Sequence, residues 1–221
     1  MVRILLVDDH RMMREGLRAI LEKNEALSVV GEAASGREAV RLAQEKRPDV
    51  VVMDVAMPDM NGIEATRAIR AARPQTKVVA LSSHSDSRYV QAILDAGASG
   101  YVLKADAYDE LLRAVEAAAN GKKYLCAEVT TKVIENALQR GAPGSVYELL
   151  GAREREVLQL LAEGLTSSEI AQRMGVSTST IETHRRNVMR KLDLHSVAEL
   201  TKYAIREGVT SVEPTPEKPS S

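Results

Sequence analysis

The chain has 221 residues, 44% hydrophobic and 28% charged, with a formal net charge of −1. That length allows two modest domains, and the charge balance gives no hint of nucleic acid unless a local cluster supplies it. A lone cysteine, Cys126, excludes an intrachain disulfide and points to a reducing cytoplasm, while no apolar run is long enough for a signal-peptide core or a membrane span.

From the N-terminus a β–α rhythm repeats five times. Strands are expected near 2–7, 28–33, 49–53, 77–82 and 99–103, where runs such as RILLV, DVVVM, KVVAL and SGYVL read as buried. Helices are expected near 11–23, 36–46, 62–72, 87–96 and 107–119. Pro48 and Pro74 fall in the turns before strands, and Gly97 and Gly121 follow helical patterns as C-terminal caps do. Alternation of this kind predicts an α/β fold, a doubly wound five-stranded parallel sheet with right-handed crossovers. With only 3% aromatic residues and neither Phe nor Trp, its core must be aliphatic.

Residues 123–147 change character. AEVTTKVIENALQ has a helical period and GAPGS reads as a flexible joint, so this stretch is expected to be a helical and flexible linker between a first domain, 1–122, and a second, 148–210. The second shows no strand pattern; helices are expected near 152–163, 167–174, 178–191 and 196–207. The tail, 211–221, is proline-rich and polar, and disorder is expected there.

Polar residues end the buried strands: Asp8 and Asp9 after the first, Asp54 after the third, Ser82 after the fourth, Lys104 after the fifth. The carboxyl ends of parallel strands converge on one edge, where such sheets bind ligands. A single Asp there could merely cap a turn, Ser82 could be a turn serine, and Lys104 a solvated charge. Together they form a different object. Three carboxylates repel unless a cation neutralises them, and a hard divalent cation such as Mg²⁺ prefers oxygen ligands. Lys104 could pair with Asp54 or with a phosphoryl oxygen.

The segments VDD, MDVAMPDMNGIE, ALSS and GYVLK make the first 120 or so residues similar to the receiver domain of two-component response regulators, a flavodoxin-like fold. The resemblance implies that Asp54 is the phosphoacceptor and that Asp8, Asp9, Asp54 and the backbone carbonyl of Ala56 hold Mg²⁺. It makes Ser82 and Tyr101 a switch pair, Ser82 moving toward the phosphoryl group and Tyr101 swinging inward. Without it, Tyr101 would read as a half-buried sheet aromatic. Two residues beyond the acceptor the family often has a polar side chain that positions water. Here it is Ala56, which implies a long-lived acyl phosphate with His84 the remaining group to touch that water.

LTSSEIAQRMGVSTSTIETHRRNVMRKL has the grammar of a helix-turn-helix. Ile170 and Ala171 are expected inside, Gly175 allows a tight turn, Val176 plugs the gap, and Ser177 or Thr178 caps a second helix with Ile181, Val188 and Leu192 inward. Arg185, Arg186, Arg190 and Lys191 lie in seven residues free of acids. A basic helix side is most often just solvated, but one that is capped and turn-linked reads as a major-groove element. RERE at Arg153–Glu156, EGL at Glu163–Leu165 and THRRNVMRKL make 150–209 similar to the LuxR-type output domain, so the chain resembles the NarL/FixJ regulators. On that resemblance Thr183 and Arg186 meet bases or phosphates, Arg190 and Lys191 meet the backbone, Thr178 and Thr180 join the DNA-binding residues, and Glu182, also among them, stands where many relatives carry a basic residue that contacts DNA. Gly151 and Ala152 replace a capping Thr or Ser, so that helix end is expected to fray. Leu194, Val197 and Leu200 could be dimer contact or core.

The implied function is a regulator phosphorylated on Asp54 by a histidine kinase, dimerising and binding double-stranded DNA at a two-fold related site. An aspartyl-phosphate phosphatase would need a second carboxylate at Ala56, and a dinucleotide enzyme would need a Gly-rich loop after the first strand. A DNA binder with a vestigial receiver is the remaining alternative.

Overall fold

The structure is a computed structural model, describing residues 1–83, 85, 87–138 and 149–210. The chain divides into two compact units, 1–145 and 146–221.

The first unit runs β1 (Val2–Val7), α1 (Arg11–Leu21), β2 (Leu27–Ala33), α2 (Gly36–Lys46), β3 (Val50–Asp54), α3 (Gly62–Ala72), β4 (Lys77–Ser82), α4 (Ser87–Asp95) and β5 (Gly100–Leu103). A single 3-10 turn (Lys104–Asp106), α5 (Ala107–Ala119), β6 (Tyr124–Leu125) and α6 (Ala127–Leu138) follow. The strands are all parallel, in the order β2-β1-β3-β4-β5-β6. Strand order reverses between β1 and β3, and that switch point opens the crevice in which α/β sheets bind ligands. Successive residues of each strand serve opposite cores. Ile4, Leu6, Val50, Val52, Val79 and Leu81 pack with Leu111 and Val115 of α5 and with Leu17 and Leu21 of α1. Leu5, Val7, Val51, Met53 and Val78 pack with Ala39 and Leu42 of α2 and with Ala65 and Ile69 of α3. Both faces are thus covered, which is why the strands read as continuous apolar runs.

Caps place the helices. Ser35 accepts from Glu38 N–H to start α2, and Asn61 accepts from Glu64 N–H to start α3. Gly97 (φ 101°) and Gly121 (φ 74°) take the left-handed conformation expected after helices. The sheet has six strands, where the sequence predicted five. Tyr124 and Leu125 pair with Gly100 and Tyr101, and Cys126 N–H donates to Tyr101 O at 3.2 Å. A two-residue strand carries no periodicity, and its pairing is decided by the free edge of β5. α6 then packs on α4.

The second unit is all helical: α7 (Ala152–Ala162), α8 (Ser167–Met174), α9 (Thr178–Leu192) and α10 (Val197–Arg206). Val157, Leu158, Leu161, Ile170, Ile181, Val188, Leu200 and Ala204 form its core. Leu200 is therefore a core residue, whereas Val197 is 38% exposed. Val176, expected to plug the gap between α8 and α9, is instead 40% exposed. Gly175 (φ 67°) turns the chain there, and the Val176 N–H returns to Ala171 O at 3.0 Å. The GAPGS joint, the tail and His84 lie outside the described residues.

Candidate functional site

Asp8 leaves β1 and Asp54 ends β3, so the switch point sets them side by side, both buried to within 1%. Lys104, directly after β5, reaches back over the intervening β4. Its Nζ lies 2.8 Å from Asp8 Oδ2 and 2.8 Å from Asp54 Oδ2. Burial opposes the ammonium charge, but Asp54 and Asp8 outweigh it and hold Lys104 above its ordinary pKa. Asp54 Oδ1 accepts from the Ala56 N–H at 3.2 Å. Even so, burial first, with Asp8 and Asp9 adding repulsion, pushes the Asp54 carboxyl up to about 7 against the pull of Lys104. The pocket holds more negative charge than one lysine can offset.

Ligand atoms of Asp8, Asp9, His10 and Asp54 lie within 4.8 Å of one another. Asp9 Oδ1 is buried and accepts no hydrogen bond among the described residues, with His10 Nδ1 3.0 Å away. Hard carboxylate oxygens, one of them without a hydrogen bond, fit a hard divalent cation. His10 was not singled out from the sequence, although it directly follows the acid pair. Its Nδ1 lies 3.3 Å from Asp8 Oδ1, which also accepts the His10 N–H at 2.8 Å.

The loop after Asp54 is held at two points. Arg37 of α2 pairs with Asp59 at 3.0 Å, Asp59 itself taking φ 72°. Gly62 donates its N–H to Val55 O at 2.9 Å. A Cβ on Gly62 would stand 2.0 Å from the Asp54 carbonyl oxygen, so only glycine fits. On the other flank Ser82 ends β4, fully buried, and is hydrogen-bonded to the Tyr101 phenol. Tyr101 is 0% exposed rather than half-buried, and burial pushes its phenol well above the ordinary range, only partly relieved by Ser82.

In the second unit Thr166 caps α8, reciprocally with Glu169, and Ser177, not Thr178, caps α9 by accepting from the Thr180 N–H at 3.2 Å. Thr178, Thr180, Thr183, Arg186 and Arg190 are exposed on α9. Thr183 Oγ1 donates back to Ser179 O at 2.9 Å. Lys191 does not stand free with them. Its Nζ lies 2.6 Å from Glu154 Oε2 of α7, and the same oxygen accepts the Gly151 N–H at 2.9 Å. Burial opposes the charge on Glu154, but Lys191 and Gly151 hold its carboxyl below the usual range. Gly151 has no side chain to offer, so only half of a reciprocal cap forms; the Lys191 bridge braces the end expected to fray. Glu182 is also engaged: Ser167 Oγ donates to its Oε1, and Arg185 Nη1 lies 3.7 Å from the same atom.

Residues 4–116 match the response regulator receiver domain model, and residues 148–204 match the bacterial regulatory proteins of the luxR family. The chain belongs to the NarL/LuxR family of response regulators. It is 40% identical over 206 residues to the transcriptional regulatory protein LiaR of Bacillus subtilis, covering 93% of this chain and 98% of LiaR. It is 32% identical over 213 residues to the response regulator UvrY of Escherichia coli, covering 96% and 98%. Among solved structures it resembles RcsB of Salmonella enterica serovar Typhimurium bound to promoter P1flhDC with the phosphomimetic BeF3⁻, with TM-score 0.60, 27% identity and 95% and 99% coverage. This NarL/LuxR regulator is thus a DNA-binding transcription factor and not an enzyme. No helix among the described residues is long and apolar enough to cross a membrane.

Proposed function

We propose that this regulator is switched by phosphorylation of Asp54, acts in the cytoplasm, and takes its phosphoryl group from a sensor histidine kinase. The observation that carries the reading is the Lys104 ammonium, 2.8 Å from a carboxylate oxygen of both Asp8 and Asp54. It marks where negative charge accumulates and where more will arrive. An Asp54 carboxylate oxygen attacks phosphorus as the bond from phosphorus to the kinase imidazole breaks, leaving an acyl phosphate. Lys104 then has a phosphoryl oxygen to pair with, and the buried Ser82 hydroxyl can donate to another. Asp8, Asp9, Asp54 and the Ala56 carbonyl are the groups that would hold Mg²⁺. When bound, that cation supplies positive charge that keeps Asp54 ionised and screens it from the incoming anion. Tyr101, packed against Ser82, couples the hydroxyl's position to the sheet edge.

The output of this switch is a homodimer presenting two copies of α9 to a two-fold related DNA site, a reading supported by the likeness to promoter-bound RcsB. Thr178, Thr180, Thr183 and Arg186 are the candidates for base or nearby phosphate contact, with Arg190 on the backbone. Treating wild type and Asp54→Ala with acetyl phosphate and Mg²⁺ tests the reading. Wild type should gain an acid-stable, hydroxylamine-labile phosphoryl group and bind duplex DNA more tightly; Asp54→Ala should do neither. Equal labelling of both proteins, or DNA binding indifferent to the donor, would overturn it.

A further inference from the structure

We infer that Glu182 positions the recognition helix and reads no base pair, an inference that rests on the assignment of α9 to DNA. The expectation for an acid at this place is either a cost in DNA affinity or a hydrogen bond accepted from a cytosine amino group. The geometry offers a third use. Glu182 Oε1 takes the hydroxyl proton of Ser167, the first residue of α8, and sits 3.7 Å from the Arg185 guanidinium one turn further along α9. The oxygen is thereby drawn to the neighbouring helix.

The anchor on α8 is itself rigid. Thr166, directly before Ser167, gives both its N–H (2.8 Å) and its Oγ1 (2.7 Å) to Glu169 Oε2, and its Oγ1 accepts the Glu169 N–H at 3.3 Å. Ser167 therefore hangs from a fixed first turn. Val176, in the turn between the helices, is 40% exposed and lies outside the buried core. Ile170, Ala171 and Ile181 hold α8 and α9 together from beneath. A hydrophobic contact of that kind tolerates rotation, whereas a hydrogen bond to a capped helix end does not. The Ser167–Glu182 bond sets the angle at which Thr183 and Arg186 are offered. Arg185 compensates the charge, which lets an acid stand on a DNA-reading helix.

The test is selection of duplexes from a randomised DNA library by the full chain, with acetyl phosphate and Mg²⁺ present. It is followed by affinities for the selected and a scrambled duplex. Glu182→Gln keeps an oxygen for Ser167 and loses the charge. Its selected sequence should match that of wild type, while affinity for both duplexes rises together by about two- to five-fold. Glu182→Ala and Ser167→Ala should each lower the ratio of selected to scrambled binding by about three- to ten-fold. The double variant should be no worse than either single one, as expected of one shared bond. Thermal melts check that each variant is folded, and Arg186→Ala reports separately on whether this side of α9 meets DNA. A changed preference at one base pair in Glu182→Gln, with Ser167→Ala selecting as wild type does, would overturn the inference. So would strictly additive losses in the double variant.

Discussion

At the scale of single residues, the chemistry turns on an aspartate that the fold makes uncomfortable. Asp54 titrates near 7 because burial and its acidic neighbours outweigh Lys104. Between its ordinary value near 3.8 and about 7, the folded chain keeps a proton on Asp54 that the unfolded chain has released. Stability from this group is present at low pH and is lost as pH rises through that window. Asp54→Asn removes the ionisation while keeping the shape. In chelator, the variant's receiver transition should lie roughly 3–6 °C above wild type at pH 8, and the gap should narrow as pH falls, closing only near pH 4. A variant that melts at or below wild type at pH 8 would refute the electrostatic account. Ala56 bears on a different property, the lifetime of the phosphorylated state. With a methyl group two residues past Asp54, no side chain there can orient water, so the acyl phosphate should persist for minutes or longer. Ala56→Asn should shorten that lifetime by about an order of magnitude, followed as loss of phosphate from purified protein. A wild-type half-life of seconds would count against this.

Elements make such residues meet, and Gly62 is where two elements come closest. The start of α3 is pressed onto the end of β3, with space for no side chain beside the Asp54 carbonyl. Gly62→Ala should cost about 1–3 kcal/mol in chemical denaturation and slow phosphorylation as well, because the displaced atoms belong to the acceptor. Unchanged phosphorylation kinetics would separate the loop from the site. What was readable in the sequence follows from what each element needs. Buried parallel strands are apolar throughout and helices carry caps such as Asn61 and Ser177, so both announce themselves locally. The meeting of Asp8, Asp54 and Lys104 was readable too, because parallel topology alone brings strand ends together. The unreadable features are those set by a distant partner. β6 exists because β5 has a free edge, and Tyr101 is sealed rather than half-exposed. Leu200 belongs to the core and Val176 does not, a distinction made by how the helices pack together. No local pattern reveals that Lys191, on the basic stretch of α9, pairs with Glu154, 37 positions earlier.

For the whole molecule, the decisive fact is that each unit has its own core. The two sheet faces of the first and the helical cluster of the second share no residue. Cooperativity in unfolding comes from a common packed interior, so two interiors should give two calorimetric transitions. The acidic pocket lies entirely in the first unit, on β1, β3 and the turn after β5. A divalent cation that binds the folded pocket and not the unfolded chain stabilises by mass action, about 1.4 kcal/mol at ten times its dissociation constant. For a receiver of this size that is a rise of roughly 5 °C. Adding Mg²⁺ should therefore move one transition and leave the other in place, and the shift should grow with pH as more of Asp54 ionises. Glu154→Ala should do the reverse. It removes the oxygen that holds both Gly151 and Lys191 and should lower the second transition alone by about 4–8 °C, the loss of about 1 kcal/mol expected for a helix cap in a domain of some 60 residues. A single transition that responds as a unit to Mg²⁺ and to Glu154→Ala would mean that the interiors are thermodynamically one, and that signal and output are joined in the ground state.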